Sequence, residues 1–282
     1  MDKFLTHRLK GFDKCDYSLD AIQKACKTDI PYIEIDTRIS LDKKIFIYHD
    51  PFFKNQKNQK IIINQIHSNI IKQHTTLCGH KLLLLDELLE VFSRRVYKKQ
   101  KLCIDIKDFG FEQQHYDLIK KYNLEDNIIW ISWIPQSLIK LNKISPKTPK
   151  VLSYIDMSNF NFFQPLLNKI SIFKIPFTHF ILIGRDKYNH KLNQYQIGFQ
   201  HAFLSSNLPL DLRDILSKNQ GGICIHKTLI SNKIINYKKK YNLKLFIFSI
   251  YTLKEYIFYK NQSIDVIFVD NLHIKNQLLP PQ

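Results

Sequence analysis

A (β/α)8 barrel is the fold class this sequence predicts, on three observations. Short β-branched or aromatic runs alternate with amphipathic helical stretches along most of the chain, which implies a parallel sheet built with crossover helices. The chain has 282 residues, a size at which α/β barrels commonly form one domain. Its most distinctive residues, His7-Arg8, Glu34-Ile35-Asp36, His49-Asp50 and Asp105-Ile106-Lys107, stand at or near the ends of strand-like runs, where a barrel gathers its active site. Residues 1–282 are expected to form a single domain, with a small polar insertion at about 51–81 after the third strand-like run.

The first run, Phe4-Leu5-Thr6, leads straight into His7. Ser18 reads as the N-cap of a helix to about Lys27, with Leu19, Ile22 and Ala25-Cys26 as its apolar stripe. A strand follows over 32–39, Asp42-Lys43-Lys44 turns the chain, and a third strand-like run covers 45–49. The lysine- and asparagine-rich stretch 54–60 reads as a surface excursion before Ile61 to Ile63. Helical patterns then fall at about 84–95, 111–122, 135–142, 160–170, 208–217, 230–241 and 252–259. They alternate with strand-like runs at 102–107, 127–133, 150–155, 179–184, 222–226, 244–250 and 265–269. These runs exceed eight, so at least one belongs to an insertion or a hairpin.

The formal net charge is +17, enough to attract anions and phosphate-bearing partners over a distance. Lys238-Lys239-Lys240 is the densest basic run, and no zinc-finger or RNA-binding signature accompanies it, so no nucleic-acid partner is expected. The five cysteines, at 15, 26, 78, 103 and 224, include no CxxC pair and read as reduced, mostly buried thiols. No apolar run approaches the ~18 residues of a membrane span, and the first strand begins too early for a secretory signal, which predicts a cytoplasmic protein. The Asn261-Gln262-Ser263 sequon is then a chance match.

Glu34 and Asp36 are two apart, so on a strand both carboxylates face the same way and can converge on one cation. Asp105 and Lys107 repeat that spacing with an acid and a base. A strand-end histidine taken alone is more often structural, and paired carboxylates alone are more often a solvated face. The apolar neighbours Ile33, Ile35, Ile104 and Ile106 change that balance, because they turn the acids into a confined space where a cation or basic side chain is required. His67, His74, His80, His115, His179, His190, His201, His226 and His273 lack comparable company and read as structural or surface residues.

In order and chemistry these residues resemble the glycerophosphodiester phosphodiesterase family, whose fold is a TIM barrel. The spacing is similar as well: 27 positions from His7 to Glu34 and 15 from Glu34 to His49. Fainter landmarks extend the resemblance over most of the chain. Asp16-Tyr17-Ser18 sits where the family has Glu-Asn-Thr, and Leu83 to Phe92 looks like its Leu-x-Glu-hydrophobic helix. Ile131-Ser132-Trp133, Phe248-Ser249-Ile250 and Asp265 to Asn271 resemble later strand ends. The resemblance implies a metal-dependent phosphodiesterase that releases sn-glycerol 3-phosphate and an alcohol. It implies Glu34, Asp36 and Asp105 as ligands of Mg²⁺ or Ca²⁺, His7 and His49 as the acid-base pair, and Arg8 and Lys107 as cations around the phosphate. Asp50 reads as a supporting residue that orients its neighbour or caps the loop.

Elementary chemistry agrees with those roles. An anionic phosphodiester repels nucleophiles until its nonbridging oxygens are neutralised, and cleavage needs one proton removed and one delivered. Two departures from the family stand out. Leu9 replaces the glycine that usually follows His-Arg, so the turn is expected elsewhere, at Gly11; and Asp105 replaces a Glu, which shortens its reach by roughly 1.3 to 1.5 Å. The Asp is shared with the sphingomyelinase D group, which makes a lysophospholipid-cleaving enzyme the first alternative, although Asp50 speaks for the glycerophosphodiester reading. A catalytically silent barrel acting as a binding module is the second. The substrate is expected to be a small-molecule or lysolipid phosphodiester, and the 51–81 excursion is the candidate for weak membrane-surface contact.

Overall fold

The structure is a computed structural model that describes residues 3–95, 99–157, 180–184, 197–271, 273, 274 and 277. Fourteen strands are defined among them: β1 (Phe4–Thr6), β2 (Tyr32–Ile39), β3 (Ile45–Ile47), β4 (Phe52–Lys54), β5 (Lys60–Ile62), β6 (Lys101–Ile106), β7 (Ile128–Ser132), β8 (Lys150–Ser153), β9 (Ile155–Asp156), β10 (Phe180–Gly184), β11 (Gln200–Ser205), β12 (Gly222–His226), β13 (Lys244–Ile250) and β14 (Val266–Val269). Strands β1, β2, β6, β7, β8, β12, β13 and β14 lie side by side, all parallel, and the β1–β2 and β1–β14 pairings close them into a barrel. Each crossover between successive barrel strands carries a helix: α1 (Leu19–Ala25), α3 (Leu85–Arg95), α4 (Glu112–Lys121), α5 (Pro135–Ile144), α6 (Leu210–Ser217), α7 (Asn232–Lys240) and α8 (Leu253–Lys260), with a short α2 (Ser68–Ile71) before α3. The fold is the predicted (β/α)8 barrel.

Local chemistry sets the helix starts. Ser18 accepts a hydrogen bond from the Ala21 amide at 3.0 Å, and Pro135 opens α5, where its missing N–H costs nothing. Thr252 and Glu255 form a reciprocal capping box on α8.

Alternation along the strands then divides the core in two. Ile33, Ile35, Leu102, Ile104 and Ile106 point outward and pack under the helices with Leu88, Leu89 and Phe92 of α3. Leu5, Cys103, Ile129, Ile131, Val151, Cys224, Phe246, Val266 and Phe268 fill the barrel interior. Glu34 is in register with Cys103 and Asp36 with Asp105, so the acids sit on the interior face immediately above this apolar plug.

Two sequence assignments change. The third strand-like run is not a barrel strand: β3 pairs antiparallel with Thr37 to Ile39 at the end of β2, so it is the return arm of a hairpin. The run at 179–184 contributes β10, which pairs with β11, itself paired with β9 on its other edge, in a separate three-stranded parallel sheet. Both have the composition of barrel strands, because an apolar run reports burial and not the sheet that buries it. The 51–81 insertion carries the β4–β5 hairpin and α2, with Phe53, Ile61, Ile63 and Ile71 packed on Phe46 and Leu82 as a small core of its own. The helical pattern at 160–170, His179 and His190 lie outside the described residues. Among the described residues, no helix is long and apolar enough to cross a membrane.

Candidate active site

At the carboxyl ends of the barrel strands a cavity of about 360 Å³ is lined by all eight residues singled out in the sequence: His7, Arg8, Glu34, Asp36, His49, Asp50, Asp105 and Lys107. Glu34 and Asp36 come from β2 and Asp105 from β6, with oxygens of all three within 4.8 Å of one another and all three side chains buried. His7 and Arg8 follow β1, Lys107 follows β6, and His49 follows the β3 hairpin. The hairpin rather than a barrel strand brings His49 in, fixed by Arg38 Nε donating to the His49 carbonyl at 2.9 Å.

Both histidines are backed by carboxylates. His7 Nδ1 lies 2.8 Å from Asp270 Oδ1, and His49 Nδ1 lies 2.6 Å from Asp50 Oδ1. Each pairing holds the ring with Nδ1 engaged and leaves Nε2 to face the cavity. Lys10 also pairs with Asp270. The carboxylate floor is crosslinked by cations: Lys107 Nζ lies 2.8 Å from Asp36 Oδ1 and 2.5 Å from Asp105 Oδ2, and Arg8 Nε lies 3.2 Å from Asp36 Oδ2. Tyr17 donates its hydroxyl to Asp36, and the Arg8 amide donates to Glu34 Oε2 at 2.9 Å.

These contacts divide the three acids by charge. Burial opposes ionisation of Asp36, but Lys107, His49 and Arg8 outweigh it and hold this carboxyl well below the usual range. Burial pushes Glu34 well above that range, and the neighbouring Asp36 and Asp105 push the same way. Burial also raises Asp105, which Lys107 only partly offsets. Asp105 Oδ1 is buried with no hydrogen-bond partner. Three converging carboxylates with two cations among them, one acid driven toward protonation and one orphaned oxygen, make a donor set short of positive charge. All-oxygen ligation of this kind fits a hard divalent cation.

Among the histidines, burial with Arg8 beside it pushes His49 down to about 3. Burial lowers His7 as well, with Asp270 opposing. His7 and Lys10 hold Asp270 ionised despite its burial.

Leu9 does not move the turn elsewhere, as the sequence reading expects. Arg8 and Leu9 themselves adopt left-handed backbone, at φ 57 and 56°, and after Lys10 returns to φ −57° the expected Gly11 takes a positive φ of 82° as well. The Leu9 side chain is fully buried, so core packing holds a conformation that glycine would adopt without strain.

Sequence reasoning leaves Asp270, Lys10 and Tyr17 out of the site. Asp270 is a carboxylate directly after β14, a signal open to the same strand-end argument that finds His7. Tyr17 and Lys10 carry no such signal, because loop conformation alone brings them to the acids. His115, read as structural, is so: its ring bridges the Phe111 carbonyl at 2.8 Å and Thr37 Oγ1 at 3.0 Å.

No family profile matches this chain. Among curated proteins, the uncharacterized protein YqiK of Bacillus subtilis (strain 168) is 23% identical over 166 residues, 56% of this chain and 68% of that protein. Among solved structures, an Oleispira antarctica phosphodiesterase in complex with the product sn-glycerol-3-phosphate superposes with a TM-score of 0.68 at 16% identity, covering 98% of this chain and 96% of that one. Glycerophosphodiester phosphodiesterases of Parabacteroides distasonis (TM-score 0.64, 13% identity, 98% and 96% covered) and Agrobacterium tumefaciens (0.61, 15%, 97% and 99%) share the fold as well. At these identities the likeness establishes a common barrel architecture along nearly the whole chain.

Proposed function

We propose that this chain is a single-domain glycerophosphodiester phosphodiesterase, hydrolysing its substrate to sn-glycerol 3-phosphate and an alcohol. The observation that carries the reading is one cavity onto which two carboxylate-backed histidines, His7 with Asp270 and His49 with Asp50, open above the Glu34, Asp36 and Asp105 oxygens. Two positioned imidazoles beside a cation site are what phosphodiester hydrolysis needs and what a simple binding pocket does not.

Glu34, Asp36 and Asp105 are the residues that would hold Mg²⁺ or Ca²⁺, which when bound supplies positive charge against the nonbridging phosphate oxygens. Arg8 and Lys107 add cationic donors at the same floor, a planar fork and a point charge. One histidine takes the proton of the attacking water or neighbouring glycerol hydroxyl, and the other protonates the leaving alkoxide. An arriving phosphate anion opposes the lowering of both rings, because a nearby negative charge favours the imidazolium. Trp133 and Phe248, edge to face at 6.0 Å, give the alcohol an apolar wall. No disulfide joins any of the five cysteines, which suits a reducing cytoplasm. Exposed Ile70 and Leu77 give the 51–81 excursion a means of weak contact with a membrane surface.

The test is metal-dependent hydrolysis of glycerophosphocholine, glycerophosphoethanolamine, glycerophosphoinositol, lysophospholipid and sphingomyelin, with and without chelator. Glycerophosphodiesters should turn over and the chelator should stop them. His7→Ala and His49→Ala should each lose at least ~100-fold in kcat. Preference for lysophospholipid or sphingomyelin would replace the substrate assignment, and inactivity on every substrate and metal would leave a silent barrel.

A further inference from the structure

Beside the mouth, and outside the machinery just described, Cys15, Cys78 and His80 bring two sulfurs and an imidazole nitrogen within 4.8 Å of one another. Cys78 Sγ lies 3.3 Å from His80 Nδ1, and Cys15 Sγ donates to the Cys78 carbonyl at 2.8 Å. Cys15 comes from the loop after β1, while Cys78 and His80 come from the end of the insertion, 63 residues away, so the contact joins two segments distant in sequence.

A tight turn presents the second pair. The Thr76 amide donates to the His80 carbonyl at 2.8 Å and the Gly79 amide to the Thr76 carbonyl at 2.9 Å. Gly79, at φ +92° between Cys78 and His80, takes the backbone through a conformation that a side chain would strain. Both neighbours thereby reach the same side of the turn. Thr76 Oγ1 lies 3.0 Å from His80 Nδ1, the same nitrogen that faces Cys78, so it holds the ring in place and a cation at Nδ1 would displace this contact. The cluster edges a second cavity, of about 310 Å³, so it is open to ions from solvent.

We propose that Cys15, Cys78 and His80 form a second metal site, for a borderline-to-soft cation such as Zn²⁺, distinct from the hard-cation site on the barrel floor. Two thiolates and an imidazole prefer zinc to Mg²⁺ or Ca²⁺ by ligand softness. About 2.3 Å for Zn–S and about 2.1 Å for Zn–N put tetrahedral donors roughly 3.5 to 3.8 Å apart, against 3.3 Å for Cys78 Sγ to His80 Nδ1 and at most 4.8 Å for the pairs with Cys15. Three donors from the chain leave the fourth position to water. Occupancy would tie the loop after β1 to the insertion. The inference does not depend on the hydrolytic reading, because it is tested by binding.

Co²⁺ titration of the reduced, metal-stripped full chain reads the site directly, since only thiolate ligation gives intense near-ultraviolet charge-transfer absorption. That band should appear at one equivalent, vanish when Zn²⁺ is added, and survive a large excess of Mg²⁺. Cys78→Ser, at an exposed position that folding does not require, should abolish most of it, and His80→Ala should weaken binding. In the unmodified chain, Zn²⁺ should also protect Cys78 from alkylation. Absence of the band together with unchanged Cys78 alkylation overturns the proposal, as does a band that persists unaltered in Cys78→Ser.

Discussion

Asp270 shows its place most clearly in space. It stands 263 positions from His7, yet barrel closure sets β14 against β1 and leaves its carboxylate 2.8 Å from the ring. Asp270→Asn keeps the shape but removes the charge that orients the imidazole and steadies its protonated form. It should lower kcat by roughly 10- to 100-fold with little change in KM, measured on the preferred glycerophosphodiester; an equal rise in KM would point to a binding role.

A second residue-scale prediction concerns Lys150, buried on β8 with Nζ donating to the Ser145 and Thr148 carbonyls at 2.7 Å each. Burial alone pushes it down to about 8, so the unfolded chain binds the extra proton between pH 8 and pH 10.5. A lowered lysine therefore costs stability in full below pH 8 and returns it as pH rises through that window, by at most about 3 kcal/mol. The stability of the parent chain relative to Lys150→Met, from urea unfolding at pH 7 and pH 10, should rise with pH; a constant difference would refute the shift.

Within the site, what is legible in the sequence is whatever local geometry controls. Glu34 with Asp36, and Asp105 with Lys107, share a strand face by period two, and the structure puts all four at one floor. The Tyr17 hydroxyl on Asp36 and the Lys10 pairing with Asp270 depend on a loop with positive φ at Arg8, Leu9, Gly11 and Tyr17, which no sequence period encodes. The Cys15 contact with Cys78 is hidden for the same reason, since its partners belong to different excursions.

At the scale of elements, the barrel strands are legible because each is an apolar run bounded by polar turns, but membership in the barrel is not. The β3 run reads like a strand of the wall and is a hairpin arm, decided by the five residues between it and β2, where Ser40 Oγ accepts from the Lys44 amide at 2.9 Å. Closeness between strands and helices is likewise written in single residues. At Gly222, which opens β12, a Cβ would stand 2.1 Å from the Lys244 carbonyl oxygen, a backbone atom that cannot swing aside. Gly222→Ala must therefore push β12 from β13 and should destabilise the fold by about 1–3 kcal/mol, read as a lower urea midpoint. An unchanged midpoint would show that the strand pair opens at no cost.

Across the whole molecule, the formal net charge is +17, while the cavity gathers Glu34, Asp36, Asp50, Asp105 and Asp270 around Arg8, Lys10 and Lys107. The far field attracts anions, and under the proposed function the near field would accept them once a cation has joined the acids. The two ranges separate experimentally, because salt at about 0.1 M screens interactions beyond roughly 10 Å and leaves buried contacts little affected. For a net-anionic substrate such as glycerophosphoinositol, kcat/KM should fall by about 3- to 10-fold between low and physiological ionic strength at saturating metal. Glycerophosphocholine, whose phosphate is balanced by its own cation, should fall much less, since the field acts on net charge during approach. The contrast between the two slopes isolates steering from any general effect of salt on the protein or on metal binding, which would move both substrates alike. Parallel slopes would mean that the basic surface plays no part in substrate capture, and the lysine-rich composition would then owe nothing to the site.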